Sequence, residues 1–163
     1  MITAKQIFEY LNEVMPFETQ EKWDNSGLLI NSGAKTDKAL CCLDVTKAAV
    51  DKAIEEKCGI IVSHHPVIFS AVKSLDADSI LFKLIQSNIS VISAHTNFDK
   101  YQFGTSAKLI EFCGIEGERQ QNEYAFSVTL HEAEKFDEFI KKVKENTDIK
   151  LQFVKSCENI TKI

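Results

Sequence analysis

A chain of 163 residues is long enough for one hydrophobic core, or for a larger and a smaller lobe. Its 44% hydrophobic and 26% charged residues, with only 6 glycines and 2 prolines, exclude disordered, collagen-like and low-complexity classes. The formal net charge of -5 argues against nucleic acid as a partner, because phosphate binding needs clustered Lys and Arg.

The first segment predicts a helix. Thr3 and Gln6 have the spacing of a capping box, and Pro16 ends the apolar stripe. This amphipathic start differs from a signal peptide, and the apolar runs are too short to span a bilayer, so we expect a cytoplasmic protein with no membrane partner. The segment WDNSGLLI then predicts a turn and a short strand, with Trp23 covering the core.

Strands and helices alternate from residue 38 onward. KALCCLDVT, CGIIVSHH and ISVISAHTNFD are apolar runs typical of buried strands, separated by the helical segment KAAVDKAIEEK and by a helix over about residues 76–87. That second helix should turn four residues inward: Ile80, Leu81, Leu84 and Ile85. The alternation predicts an α/β fold, a mostly parallel sheet with helices on both faces.

The polar stretch EGERQQNE, after a helix near residues 104–113, predicts a domain boundary. We therefore assign residues 1–117 to an α/β domain and residues 118–163 to a partial α+β lobe. In the lobe YAFSVTL predicts a strand, EAEKFDEFIKKVKEN a helix and DIKLQFV a second strand, a β-α-β unit.

Polar residues follow all three apolar strands. Because parallel strands deliver their carboxyl ends to one sheet edge, we expect a crevice there. The residues concerned are Asp44 and Thr46, then Ser63, His64 and His65, then His95, Thr96, Asn97 and Asp99.

The adjacent histidines His64 and His65 are candidate metal ligands. Imidazole binds zinc and similar ions, while carboxylate also suits harder ions such as magnesium or manganese. Successive side chains on a strand point to opposite faces, so both histidines can reach one ion only if the strand is broken, and Pro66 favours such a break. Alternatively, two ions would each be bound by one of the imidazoles. Nearby Ser63 lacks a nucleophile motif. The apolar pair Ile68 and Phe69, just past the proline, is interpreted as core and not as a substrate-stacking surface.

After the next strand, Asp99 is a better ligand candidate than His95, and His95 is either a ligand or an orienting residue. The predicted metal set is therefore His64, His65 and Asp99, with His95, Asp44 and Thr96 lining the site. The alternative is a hydrogen-bonded polar crevice without metal. The five cysteines lack C-x-x-C spacing and are interpreted as reduced and structural.

Four motifs, EKWDNSGLLI, CLDVT, IIVSHHPVIF and AHTNFD, in this order and spacing resemble the Nif-three-like family, also labelled GTP cyclohydrolase I type 2 homologues. The resemblance is strong over residues 1–115. It implies an α/β subunit with a two-metal site, a homo-oligomer in the form of a hexameric ring, and metal-ligand roles for His64, His65 and Asp99. His95 falls beside the site.

The family also uses a histidine and a glutamate of a later GHxxSE motif, which this sequence lacks. The only histidine after His95 is His131, which is followed four residues later by Lys135. We therefore expect a truncated or shortened member in which the site is partly supplied and the return to the main domain is missing.

The resulting hypothesis is a protein with two divalent ions, whether zinc, manganese, iron or magnesium, that hydrolyses a nucleotide or a phosphorylated small molecule. No catalytic residue is assigned. The alternative is a non-catalytic protein of the same fold that binds or delivers metal, or serves as an interaction partner.

Overall fold

The computed structural model describes residues 1–148 and 150–163, and the chain divides into two compact units, Met1–Phe98 and Asp99–Ile163. The elements of the first unit are β1 (Ile2–Thr3), α1 (Ala4–Val14), a 3-10 turn (Phe17–Thr19), β2 (Gly27–Ile30), β3 (Lys35–Thr36), β4 (Ala39–Cys42), α2 (Lys47–Glu55), β5 (Ile60–Ser63), α3 (Ile80–Gln86) and β6 (Ser90–Ser93). A short helix, α4 (Thr96–Asp99), crosses the division. The second unit contains α5 (Thr105–Phe112), β7 (Gly117–Asn122), β8 (Ala125–Lys135), α6 (Phe136–Thr147) and β9 (Asn159–Lys162).

The first unit is built on a four-stranded sheet in the order β2-β6-β5-β4. Strands β4, β5 and β6 are parallel, and β2 runs antiparallel to β6, which confirms the predicted mostly parallel sheet. The register aligns Cys42 with Ser63 and Ser63 with Ser93. The three parallel strands therefore end at the same level, and the residues that follow them emerge at one edge.

Helices α1, α2 and α3 of the first unit each begin at a capping side chain. The predicted capping box on α1 is confirmed, because Gln6 N–H donates to Thr3 Oγ1 and Thr3 N–H donates to Gln6 Oε1. At α2 and α3 a single N-cap hydrogen bond is present: Thr46 Oγ1 accepts from the Ala49 N–H, and Ser79 Oγ accepts from the Phe82 N–H. The helix predicted over residues 76–87 is thus shorter at its amino end, since the cap falls at Ser79.

The core of the first unit lies between the sheet and α2 and α3. Ile61 and Val91 pack from the strands against Val50 and Leu84 from the helices, and all four are fully buried. Ile85, predicted to point inward, is 55% exposed, so that prediction is wrong. It lies about 100° around the helix from Leu84, beyond the stripe that meets the sheet.

The second unit is a three-stranded antiparallel sheet, β7-β8-β9, with α6 packed on it. Two predictions fail here. The stretch EGERQQNE, expected to mark a boundary and not a strand, contains β7, which pairs along its whole length with β8. The described residues of DIKLQFV do not form a strand; the last strand is β9, further on. The edge strand β7 is polar, so it carries no hydropathy signal. Strand β9 has a single apolar residue, Ile160, packed on the core, which is too little for a strand pattern.

Two boundaries differ in position from the sequence pattern. Helix α6 begins at Phe136, because β8 continues through Lys135. The predicted domain boundary after residue 117 falls inside the second unit, because Ile110 and Cys113, at the end of α5, pack with Val128 of β8. Among the described residues, no helix is both long enough and apolar enough to cross a bilayer.

Candidate functional site

The histidines of the first unit are positioned by the ends of its parallel strands. Beyond β5, the His64 N–H donates to the Cys42 carbonyl (3.1 Å) and the His65 N–H to the Leu43 carbonyl (2.9 Å). Beyond β6, the Ala94 N–H donates to the Ser63 carbonyl (2.9 Å), just before His95. The backbone therefore stays tied to the sheet up to each imidazole.

Three imidazoles meet at this edge. The ring centroids lie 5.1 Å apart for His64 and His65, 5.2 Å for His64 and His95, and 5.5 Å for His65 and His95. Each ring offers one ligand atom, and the three atoms lie within 4.8 Å of one another. Ligands of one zinc ion, at bonds of about 2.1 Å, are at most about 4.2 Å apart, so the cluster has nearly the dimensions of a metal site.

An oxygen atom lies against the Nδ1 of every ring in the cluster. His64 Nδ1 is 2.9 Å from the Ala94 carbonyl, His65 Nδ1 is 2.7 Å from Asp44 Oδ1, and His95 Nδ1 is 3.0 Å from Asp24 Oδ1. A carbonyl or carboxylate oxygen accepts a hydrogen bond, so the proton of each neutral ring is placed on Nδ1. The lone pair is then on Nε2, the tautomer that metal-binding histidines use.

Asp24 is the most strongly held carboxylate of the site, with a fully buried side chain. It accepts hydrogen bonds from Asn25 N–H (2.7 Å), Ser26 Oγ (2.9 Å), His95 Nδ1, and both the backbone N–H and the hydroxyl of Thr96. Burial alone would raise its pKa, but the hydrogen bonds from Thr96, His95 and Ser26 outweigh burial and lower the pKa to about 2. Asp24 is therefore ionised at neutral pH and fixes the orientation of His95.

A cleft of about 290 Å³ opens beside His65. Asp44 and His65 form its polar side, and Val45, Val67 and Leu81 contribute apolar surface. Its position next to an imidazole suits it to a small molecule, since ligand sites combine an apolar lining with a few polar groups.

The structure brings together some of the predicted site residues. His64, His65 and His95 share one cluster, Asp44 holds His65, and Thr96 holds Asp24. Asp99 begins the second unit, where Thr105 Oγ1 donates to its Oδ1 (2.6 Å), and its role as a ligand stays a prediction. The buried Ser63 hydroxyl bonds the Ser93 hydroxyl (2.8 Å) and the His65 carbonyl, a structural arrangement.

Sequence reasoning missed Asp24 and misplaced two aromatic residues. The segment WDNSG was interpreted only as a turn. Metal-binding histidines usually have a carboxylate or carbonyl partner, but no local sequence pattern connects Asp24 to His95. Trp23, predicted to cover the core, is 60% exposed, and Phe69, also interpreted as core, is 54% exposed. Both predictions are wrong because these rings lie at the rim of the crevice instead of under it.

The fold and the site together define an α/β protein with a histidine cluster at the carboxyl edge of a mostly parallel sheet. The family model described as Duf34/NIF3 (NGG1p interacting factor 3) matches residues 2–163. A Helicobacter pylori protein named GTP cyclohydrolase 1 type 2 (strain ATCC 700392 / 26695) is 36% identical over 169 residues, covering 98% of this chain and 66% of the relative. The chain belongs to the DUF34/NIF3 family.

Two further comparisons agree with this family assignment. The protein of the same name from Helicobacter pylori strain J99 is 42% identical over 122 residues, which cover 71% of this chain and 49% of that protein. The crystal structure of the Staphylococcus aureus hypothetical protein SA1388 superposes with a TM-score of 0.81 at 26% identity, covering 98% of this chain and 70% of that one. The chain thus spans about half to two thirds of the length of these curated relatives.

Proposed function

We propose that this chain carries the metal-binding part of a metal-dependent hydrolase, with His64, His65 and His95 as its nitrogen ligands. The observation that carries the proposal is the shared anchoring of the three rings: each Nδ1 is held by an oxygen, and the three ligand atoms converge within 4.8 Å. Anchored imidazoles lose little side-chain entropy on binding an ion.

The donor set fits a divalent transition metal. Imidazole nitrogen suits zinc and iron better than magnesium or manganese, which prefer oxygen. The ligand atoms of the three histidines are spaced slightly wider than those around a single ion. This spacing also suits two ions that share the cluster, as the family resemblance implies. The ligand role of Asp99 stays a prediction that rests on its motif alone.

The chain's own residues prepare the site for this chemistry. Asp24 and Asp44 keep the proton on Nδ1 of His95 and His65, so that their Nε2 atoms are available as donors. These histidines would hold a divalent ion, which would supply Lewis-acid chemistry: polarisation of an electrophile and a lowered pKa for bound water. The cleft beside His65 provides apolar walls for the substrate.

The names of the relatives support the proposed substrate class. Two of them are named GTP cyclohydrolase 1 type 2, which supports a nucleotide or another phosphorylated small molecule as substrate. Assembly into a hexameric ring and a cytoplasmic location belong to the same proposal, and they rest on the family resemblance.

A second candidate is a metal-binding or metal-delivery protein without catalysis. The observation in its favour is that both carboxylates of the cluster, Asp24 and Asp44, are engaged with imidazole nitrogens. A carboxylate used in that way is a poor general base for a hydrolytic step.

The test uses cobalt as a spectroscopic probe. Chelator-stripped protein should bind Co²⁺ with a visible ligand-field spectrum that His95→Ala abolishes, whereas His131→Ala, which changes an exposed histidine of the second unit, should leave it intact. Metal-loaded protein is then assayed with GTP and a panel of phosphate esters. Turnover lost in His65→Ala supports the hydrolase, and bound metal without any turnover supports the second candidate. Equal Co²⁺ spectra in both alanine variants contradict the proposed site.

A further inference from the structure

Two aromatic side chains stand exposed at the rim of the histidine cluster. Trp23 is 60% exposed and Phe69 is 54% exposed, although their ring centroids are only 6.2 Å apart. The Trp23 ring also meets the edge of His95, with centroids 6.1 Å apart and planes at 76°. Neighbouring aromatic rings normally bury their faces, so an exposed pair beside a polar cluster suggests a binding surface.

The pair is held in place by the fold. Asn25 Nδ2 donates to the Ile68 carbonyl (2.6 Å), which ties the turn after Trp23 to the segment before Phe69. Ile68 itself packs against the core of the first unit, and the Asn25 N–H donates to Asp24 (2.7 Å). Both rings are thus attached to the network that orients His95. Rigid aromatic groups bind ligands with little loss of conformational entropy.

The shape of the pair indicates what it binds. The two ring planes meet at 50°, so neither covers the other, and each keeps a face that a flat ligand can stack on. A protein partner needs a total buried area of about 1,000 Å² or more, far beyond what these two side chains provide, and one of them already lies against the imidazole of His95. Aromatic faces bind heteroaromatic rings by stacking, independently of the ring's hydrogen-bonding pattern.

We propose that Trp23 and Phe69 form an aromatic wall that stacks the flat heteroaromatic ring of the substrate, a nucleobase or a ring of similar size, beside the histidine cluster. The inference rests on the proposed function, because it assigns the wall to the substrate of that site. It makes the two residues determinants of specificity: they select ring-bearing phosphate compounds over sugar phosphates.

The chain contains one tryptophan, so its intrinsic fluorescence reports on the wall alone. The test titrates metal-free protein with guanosine and, separately, with ribose 5-phosphate, using free tryptophan amide to correct for light absorbed by guanosine. Guanosine should quench Trp23 saturably, and ribose 5-phosphate should not. Phe69→Leu, which keeps an apolar side chain but removes the ring, should weaken guanosine binding by about tenfold.

The matched control is Tyr10→Leu, which removes an exposed aromatic ring from α1 in the same unit and should leave the guanosine titration unchanged. Absence of saturable quenching, or equal affinity in Phe69→Leu and the original chain, overturns the proposal. So does a fall in assembly mass in Phe69→Leu by sedimentation, because the rings would then pack against another copy of the chain.

The same variants separate this proposal from the proposed function. Co²⁺ binding should be unchanged in Phe69→Leu, since the ring donates no ligand atom. Guanosine quenching in a protein that fails to bind Co²⁺ supports the wall and contradicts the metal site. Co²⁺ binding without guanosine quenching supports the metal site and contradicts the wall.

Discussion

His95 Nδ1 and Asp24 Oδ1 lie 3.0 Å apart, although 71 residues separate them in the sequence. The contact links the turn before β2 to the end of β6, the two neighbouring antiparallel strands. The same carboxylate holds the start of α4 through Thr96, so one buried charge orients a metal-ligand candidate and fixes the local backbone. Asp24 is therefore expected to contribute both to stability and to the proposed metal site.

Replacement of this carboxylate should lower stability in a pH-dependent way. The pKa of Asp24 falls from 3.8 to about 2 on folding, which corresponds to about 2 kcal/mol of stabilisation at neutral pH. A depressed pKa contributes stability that is present above pH ~4 and is lost as pH falls towards 2. We expect Asp24→Asn to lower the free energy of unfolding by about 2 kcal/mol at pH 7. In the acid limb, below about pH 4, the free energy of unfolding of this variant should depend less steeply on pH.

The measurement is urea unfolding of metal-free protein between about pH 2 and 7. Asp78→Asn, which changes an exposed aspartate before α3, is the control and should match the original chain. Parallel acid limbs in Asp24→Asn and the original chain would show that this carboxylate does not make the stabilising contribution assigned to it.

Thr96 should be coupled energetically to Asp24. Its buried hydroxyl donates to Asp24 and accepts from the Glu21 N–H (2.9 Å), so Thr96→Val removes a donor and an acceptor from a closed network. We expect a loss of about 1–3 kcal/mol, because buried partners are left unsatisfied. In a double-mutant cycle with Asp24→Asn, the two losses should be non-additive. Strict additivity would mean that the two residues act independently.

The sequence predicted the part of the site that follows from local pattern. Apolar runs mark β4, β5 and β6, and parallel strands must end at one edge, so the convergence of His64, His65 and His95 could be anticipated. The link from Asp24 to His95 could not, because it depends on β2 pairing antiparallel with β6, a tertiary choice that no local pattern encodes.

Tertiary context also determined the exposure of two aromatic residues and the pairing of one polar strand. Hydropathy assigns Trp23 and Phe69 to the core, whereas the structure uses them at the rim of a site, where an apolar ring has another role. Strand β7 was missed for the opposite reason: its residues GERQQN are polar, and only backbone bonding to β8 makes them a strand.

Two adjacent residues of α3 should differ sharply in their contribution to stability. Leu84 is fully buried in the core of the first unit, whereas Ile85 is 55% exposed. We expect Leu84→Ala to lower the free energy of unfolding by about 2–5 kcal/mol, through lost burial and a residual cavity. Ile85→Ala should cost less than about 1 kcal/mol. Chemical denaturation of both variants provides the measurement, and similar losses would contradict the inward orientation of Leu84.

Asp44 should control metal affinity without controlling stability. Its carboxylate lies 2.7 Å from His65 Nδ1, yet its side chain is 57% exposed, so it orients an imidazole at the rim and not in the core. Loss of such a partner typically weakens metal binding by about 10- to 100-fold, because the ring loses its fixed orientation and some basicity. Asp44→Ala should therefore raise the Kd for Co²⁺ by that factor while unfolding stability stays within about 0.5 kcal/mol.

Asp51→Ala provides the comparison for Asp44→Ala. Asp51 is similarly exposed, at 52% of its side chain, and it pairs with Lys83 instead of a histidine. Its replacement removes one carboxylate of the same unit, and therefore the same formal charge, so a general electrostatic effect on cation binding would appear in both variants. We expect the Kd for Co²⁺ to rise only in Asp44→Ala. Equal increases would show that Asp44 acts through its charge alone, whereas an increase confined to Asp44→Ala assigns the effect to its contact with His65.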